Sequence, residues 1–93
     1  MYIYLVGNTE LSWYKIGVTG NLLYRVKAIQ NTLPFSVSLI AHAESSPTMA
    51  RVVEQETHTR FWKHHLRGEW FKGLDIVAVA AFMTEKAKGF GNA

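Results

Sequence analysis

The sequence predicts a small α+β domain: a three-stranded mixed or antiparallel sheet flanked by about three helices, in the order β-β-α-β-α-α. Three observations carry this reading. Residues 2–6 (YIYLV) and 13–18 (WYKIGV) alternate with the two-residue period of strands. Leu22, Leu23, Val26 and Ile29 then recur at helical spacing, directly after the turn-forming run Thr19-Gly20-Asn21. Ser46-Pro47-Thr48-Met49 marks a second helix start, because serine can cap and proline suits the first helical position.

The first strand puts Tyr2 and Tyr4 on one face and Ile3 and Leu5 on the other. Gly7-Asn8-Thr9-Glu10 is turn-like, so the first two strands form a hairpin whose loop exceeds two residues. In the second strand Trp13, Lys15 and Gly17 share a face opposite Tyr14, Ile16 and Val18. Antiparallel pairing then gives Tyr4 and Lys15 a common face, backed by a core face of Ile3, Leu5, Tyr14 and Ile16. The helix over 22–30, with Asn21 as its cap, sets Arg25 three residues from Leu22 and four from Ile29. That position is beside the apolar stripe and half committed to the interior.

After Asn31 to Pro34, residues 36–43 form a third strand of loose alternation. Val37, Leu39, Ala41 and Ala43 face one way, and Ile40 and a solvent-facing His42 the other. The intervening helix is a crossover, so the second and third strands run parallel with the first between them, in a mixed sheet. The helix from Pro47 presents Ala50, Val53, Thr57 and Phe61 at helical spacing and sets Glu54 and His58 one turn apart on a neighbouring face. Gly68-Glu69-Trp70-Phe71 leaves that helix, its tryptophan and phenylalanine closing the core. Asp75 starts a last helix through Ala78, Val79, Phe82 and Met83, ending near Lys88. The domain thus covers 1–88, with 89–93 a short tail.

A chain of 93 residues makes one domain with a modest core. Its 48% hydrophobic and 18% charged content is that of a folded protein, not a disordered tail. The absence of cysteine excludes a disulfide scaffold, thiol catalysis and Cys-based zinc sites. No His-Glu-x-x-His pattern supports zinc binding by His58, His64 and His65. The start lacks the basic region of a signal peptide and no segment has transmembrane length, so a cytoplasmic setting without membrane contact is expected. A net charge of +3 and a pI near 9.4 suit a polyanionic partner. Over 51–72, Arg51, Arg60, Lys63, Arg67 and Lys72 oppose only Glu54, Glu56 and Glu69. Arg51, Arg60, Lys63 and Lys72 are the candidate phosphate contacts.

Tyr2-Ile3-Tyr4, Lys15-Ile16-Gly17, Arg25 ten residues after Lys15, and Gly68-Glu69-Trp70-Phe71 stand in an order that resembles the GIY-YIG nuclease superfamily. The branch it looks like is that of small phage and bacterial proteins with a Lys-Ile-Gly second motif and a Gly-Glu-Trp-Phe run. The resemblance spans residues 2–71 and implies the same fold, a phage or mobile-element setting, and a metal-dependent endonuclease acting on DNA. It implies that Glu54 binds Mg2+ or Mn2+, and that Tyr4, Lys15, Arg25 and His58 are catalytic. Glu69, fifteen residues after Glu54, is a candidate to steady the metal site from behind its ligand or to act as a second ligand, with structural support an equal reading.

Phosphodiester hydrolysis needs an activated water, a counter-charge for the pentavalent phosphate and a Lewis acid. Under the resemblance, Tyr4 positions or deprotonates water, Arg25 clamps the phosphate and Glu54 holds the cation. Two departures stand out. Lys15 replaces the phenol of the second motif, where it serves as a cation or a base, and Ile29 stands where relatives carry histidine or tyrosine. The alternative to an endonuclease is therefore a catalytically weak nucleic-acid-binding module. A third class, a protein-binding domain using Trp62 and Trp70, explains neither Arg25 nor Glu54. A bland reading of Glu54 and His58 as a solvated surface pair also stays open. With no separate recognition domain, specificity comes from dimerisation, nucleic-acid shape or a partner protein.

Overall fold

The computed structural model of the protein describes residues 1–91, and side chains through residue 88. The elements are β1 (Tyr2–Asn8), β2 (Trp13–Thr19), α1 (Leu22–Gln30), β3 (Ser38–Glu44) and α2 (Pro47–Arg60). A 3-10 turn (Trp62–His64) leads into β4 (His65–Arg67) and β5 (Trp70–Lys72), and α3 (Ile76–Gly91) closes the chain. The sheet has five strands in the order β3-β1-β2-β5-β4, all pairs antiparallel. This corrects the expected three strands and the mixed sheet. β2 and β3 do run parallel with β1 between them, but they share no ladder, so no parallel pair forms. The extra strands come from the segment around Gly68, which turns at positive φ (55°) and folds His65–Arg67 back on Trp70–Lys72.

Local chemistry explains the helix starts. The Asn21 side chain accepts from the Tyr24 N–H at 3.1 Å, Ser46 accepts from Met49 N–H at 3.2 Å, and Asp75 from Ala78 N–H at 3.1 Å. Gln30 pins the loop after α1 by donating to Phe35 O and accepting from Val37 N–H. The last helix runs to Gly91, past the expected end near Lys88, so residues 89–91 are helical; residues 92–93 of the expected tail lie outside the described residues.

Each face of the sheet has its own cluster. Ile3, Leu5, Tyr14, Ile16 and Phe71 pack with Ala50 and Val53 of α2 and Val79 and Met83 of α3. On the opposite face Tyr4 and Val6 pack with Ile29 of α1, bordered by Val26, Leu39 and Trp70. β3 shifts register between Leu5 and Val6 of its partner, and this bulge carries Leu39 to the α1 face while Ile40, Ala41 and Ala43 join the other. Ile40 therefore does not oppose Ala41 and Ala43, as simple alternation predicts. On α1, Leu23 is 84% exposed and contributes nothing to the core.

Candidate functional site

β1 and β2 align Tyr4 with Gly17 and Val6 with Lys15, so the period of two delivers Tyr4, Lys15 and Gly17 to the α1 face while Tyr14 enters the core. Gly17 is what lets the group assemble. A Cβ there would stand 2.5 Å from the Tyr4 hydroxyl oxygen and 2.9 Å from Glu69 Oε1. The phenol and the carboxylate thus occupy the space that any other residue would fill. Lys15 Nζ lies 3.6 Å from Glu69 Oε1 and 5.5 Å from the centre of the Trp70 ring, which orients the ammonium along the same edge.

Ile16 ties the remaining parts together. Its N–H donates to Glu69 O at 3.1 Å, and its carbonyl accepts from His58 Nε2 at 2.9 Å. One residue of β2 therefore fixes both the turn that carries Glu69 and the stretch of α2 that carries Glu54 and His58. Because a carbonyl only accepts, Nε2 bears the proton, and Nδ1 is the acceptor of the neutral ring. The ring also meets Phe71 edge-on, with centroids 4.9 Å apart.

Electrostatics single out Glu54. Its Oε2 is sealed from solvent and has no hydrogen-bond partner. Burial, then the negative charge of Glu69 and a hydrogen bond to its carboxyl, push the Glu54 carboxyl up to about 7, against the pull of Arg51. Two carboxyl groups can hydrogen-bond only with a proton between them; with both ionised they repel, and Arg51 offsets only part of that. Tyr4 is pushed up to about 12, by burial first and then Glu69, with Arg25 opposing and Glu54 adding to the rise. The fully buried ring lies against Ile29, which supplies apolar cover and no proton-handling group.

An orphaned, buried carboxylate oxygen facing a second carboxylate fits a hard divalent cation. Glu54 and Glu69 would hold it. Among the described residues no group of three His, Asp or Glu side chains could hold a metal, so water and substrate oxygens would complete the shell, as is usual for Mg2+. The cleft beside Glu54 is about 210 Å³, lined by Glu54, Gln55, His58, Thr59 and Trp62.

The remaining expected residues are placed less centrally. Arg25 is exposed rather than half-buried, because Val26 and Ile29 fill the interior side of α1; its charge still reaches Tyr4. Arg51, Arg60, Lys63 and Lys72 are exposed and, among the described residues, make no ion pair. Arg51 acts on Glu54, while Lys72 sits opposite Trp13 on β5. Sequence reasoning missed the space at Gly17 and the backbone of Ile16. A glycine inside a strand pattern is the signal that marks the first; nothing in the sequence marks the second. Among the described residues no helix is long and apolar enough to cross a membrane.

The family model of the T5orf172 domain matches residues 1–85 of the chain. No curated protein and no solved structure matches the chain.

Proposed function

This chain belongs to the T5orf172 family, and on that premise we propose that it is a metal-dependent endonuclease of GIY-YIG type, hydrolysing phosphodiester bonds in nucleic acid, DNA foremost. The observation that carries the reading is the sealed Glu54 oxygen, without a partner and facing Glu69 beside the Tyr4 hydroxyl. Glu54 and Glu69 would hold Mg2+ or Mn2+ there, and the bound ion would supply Lewis-acid chemistry.

The chain's own groups do the rest. Tyr4, raised to about 12, stays protonated near neutral pH and orients water or a phosphate oxygen by hydrogen bonding, not as a phenolate. Arg25, exposed at the rim, clamps the phosphate in bidentate fashion. His58 has Nδ1 left to accept a proton, its other nitrogen being spent on Ile16. Lys15 holds Glu69 in place and adds positive charge near the scissile group. Arg51, Arg60, Lys63 and Lys72 track the backbone, and specificity comes from nucleic-acid shape, a second copy or a partner protein.

A second reading, a catalytically weak or inactive nucleic-acid-binding module, is favoured by the Lys15–Glu69 pair, which already neutralises one of the two carboxylates. Single-turnover cleavage of single-stranded, duplex and branched DNA and of RNA, with saturating Mg2+ or Mn2+, decides between them. Glu54→Gln keeps side-chain size and helix preference but removes the anionic oxygen, so cleavage falls by orders of magnitude while binding holds and the chain stays folded. A variant that cuts at near the wild-type rate contradicts the Glu54 assignment. A wild-type protein that binds but never cuts establishes the binding module.

A further inference from the structure

The segment that leaves α2 carries a feature the proposed chemistry does not use. Trp62 and His65 stack face to face, with ring centroids 3.9 Å apart and planes 11° from parallel. His65 is itself held: Nε2–H donates to Gly68 O at 2.8 Å, and its ring meets Phe71 edge-on at 5.4 Å. Phe71 is fully buried, so the stack is rooted in the core. Trp62 nevertheless remains 57% exposed. With one face covered by the imidazole, the rest of the indole is left in water, an arrangement that burial alone does not favour.

Position and charge say what suits that surface. Trp62 lines the same cleft as Glu54 and His58. Arg60, Lys63 and Arg67, in the same stretch of chain, are exposed and, among the described residues, make no ion pair. A flat aromatic surface flanked by free cations matches a partner that is both a polyanion and a source of planar rings. A duplex keeps its bases stacked on one another and offers mainly phosphates to such a surface. An unpaired nucleotide offers both its phosphate and its π-face.

We propose that Trp62, backed by His65, is a stacking platform for an unpaired nucleobase at the mouth of the Glu54 cleft, so that the preferred substrate is nucleic acid with a single-stranded stretch. The inference rests on the reading of that cleft as a nucleic-acid site. Its chemistry is common to DNA and RNA, because every base presents a π-face.

The test is binding by fluorescence anisotropy, using the full chain in EDTA so that metal-dependent cleavage is suppressed. The probes are a labelled single-stranded oligonucleotide and a duplex of the same length, each as DNA and as RNA. Trp62→Ala should lower the ratio of single-strand to duplex affinity on the order of tenfold in at least one of the two chemistries. Trp62→Phe keeps a ring and should retain most of the ratio. Trp62→Leu keeps apolar bulk without a π-face and should lose it, which guards against misfolding of the alanine variant. An unchanged ratio in Trp62→Ala and Trp62→Leu, with melting unaltered, overturns the platform, as does a wild-type chain that binds neither probe. A chain that binds single strands through Trp62 but never cuts overturns the nuclease reading and leaves the platform standing. One that cuts while the ratio ignores Trp62 does the reverse.

Discussion

On the α2/α3 face of the sheet, Ile3, Leu5, Tyr14, Ile16 and Phe71 close into one apolar cluster, whereas on the α1 face the intervening positions carry Tyr4, Lys15 and Gly17, met by Glu69 from the following turn. The two faces use the same strands and the same alternation. One supplies most of the buried apolar area, and hence most of the hydrophobic driving force. The other is thereby free to bury a phenol and hold a lysine, a glutamate and a glycine near one point, where the charge of Glu54 reaches them from α2. Ile16 joins them, with its side chain in the dry cluster and its N–H and C=O holding Glu69 and His58. The comparison teaches that the stability of this small domain and the strand-borne part of its candidate chemistry are separable by residue parity along β1 and β2, while Glu54 and His58 come from α2.

The largest effect should come from breaking the dry face. Phe71→Ala removes a fully buried ring touching both His58 and His65 and should cost about 3–5 kcal/mol. Trp70→Phe, one residue away on the other face, should cost less than about 1.5 kcal/mol. Chemical denaturation of the two variants checks this, and equal losses would undo the division between faces.

A smaller loss, of about 1–3 kcal/mol, should follow from Gly17→Ala, since the new methyl meets the Tyr4 hydroxyl and the Glu69 carboxylate. Gly20→Ala is the control, because a Cβ there meets nothing within 4 Å. Thermal melts of the pair would show whether the site is as tightly assembled as the distances imply; matching melts would mean that it opens without cost.

How far these faces were legible in the sequence depended on the range of the interactions. Alternation placed Tyr4, Lys15 and Tyr14 correctly, and caps at Asn21, Ser46 and Asp75 marked helix starts, because both are local properties of the chain. The β4–β5 hairpin escaped because each strand is three residues long, too short for a period to register, and its turn depends on Gly68 at positive φ. Ile40 was misplaced because a bulge has no signature in alternation. Within the site, Glu54 and His58 were readable as a helical pair. The contact of Glu69 with Lys15 and its charge on Glu54 were not, since they follow from Glu69 O accepting from Ile16, a pairing across more than fifty residues of chain.

The subtlest expected effect is on pH. Glu54 is raised from 4.5 to about 7 in the folded protein, so the folded chain keeps a proton that the unfolded chain has released. Stability of the metal-free protein should therefore be greatest below pH 4.5 as far as this group is concerned, and decline as pH rises towards 7. Glu54→Gln should flatten that decline, because Gln carries no titrating proton. Melting temperatures between pH 4.5 and 7.5 in EDTA would check the slope, and an identical slope in wild type and variant would show that Glu54 is not the group responsible.

Direct cation binding tests the central claim, that Glu54 of α2 and Glu69 of the β4–β5 turn form a cation site. Mn2+ titrated at pH 7.5 and followed by electron paramagnetic resonance should show one bound ion per chain in the wild type, with displacement of protons from the Glu54–Glu69 pair. Glu54→Gln should lose that ion while its fold is kept. Undiminished Mn2+ binding in Glu54→Gln would contradict the account.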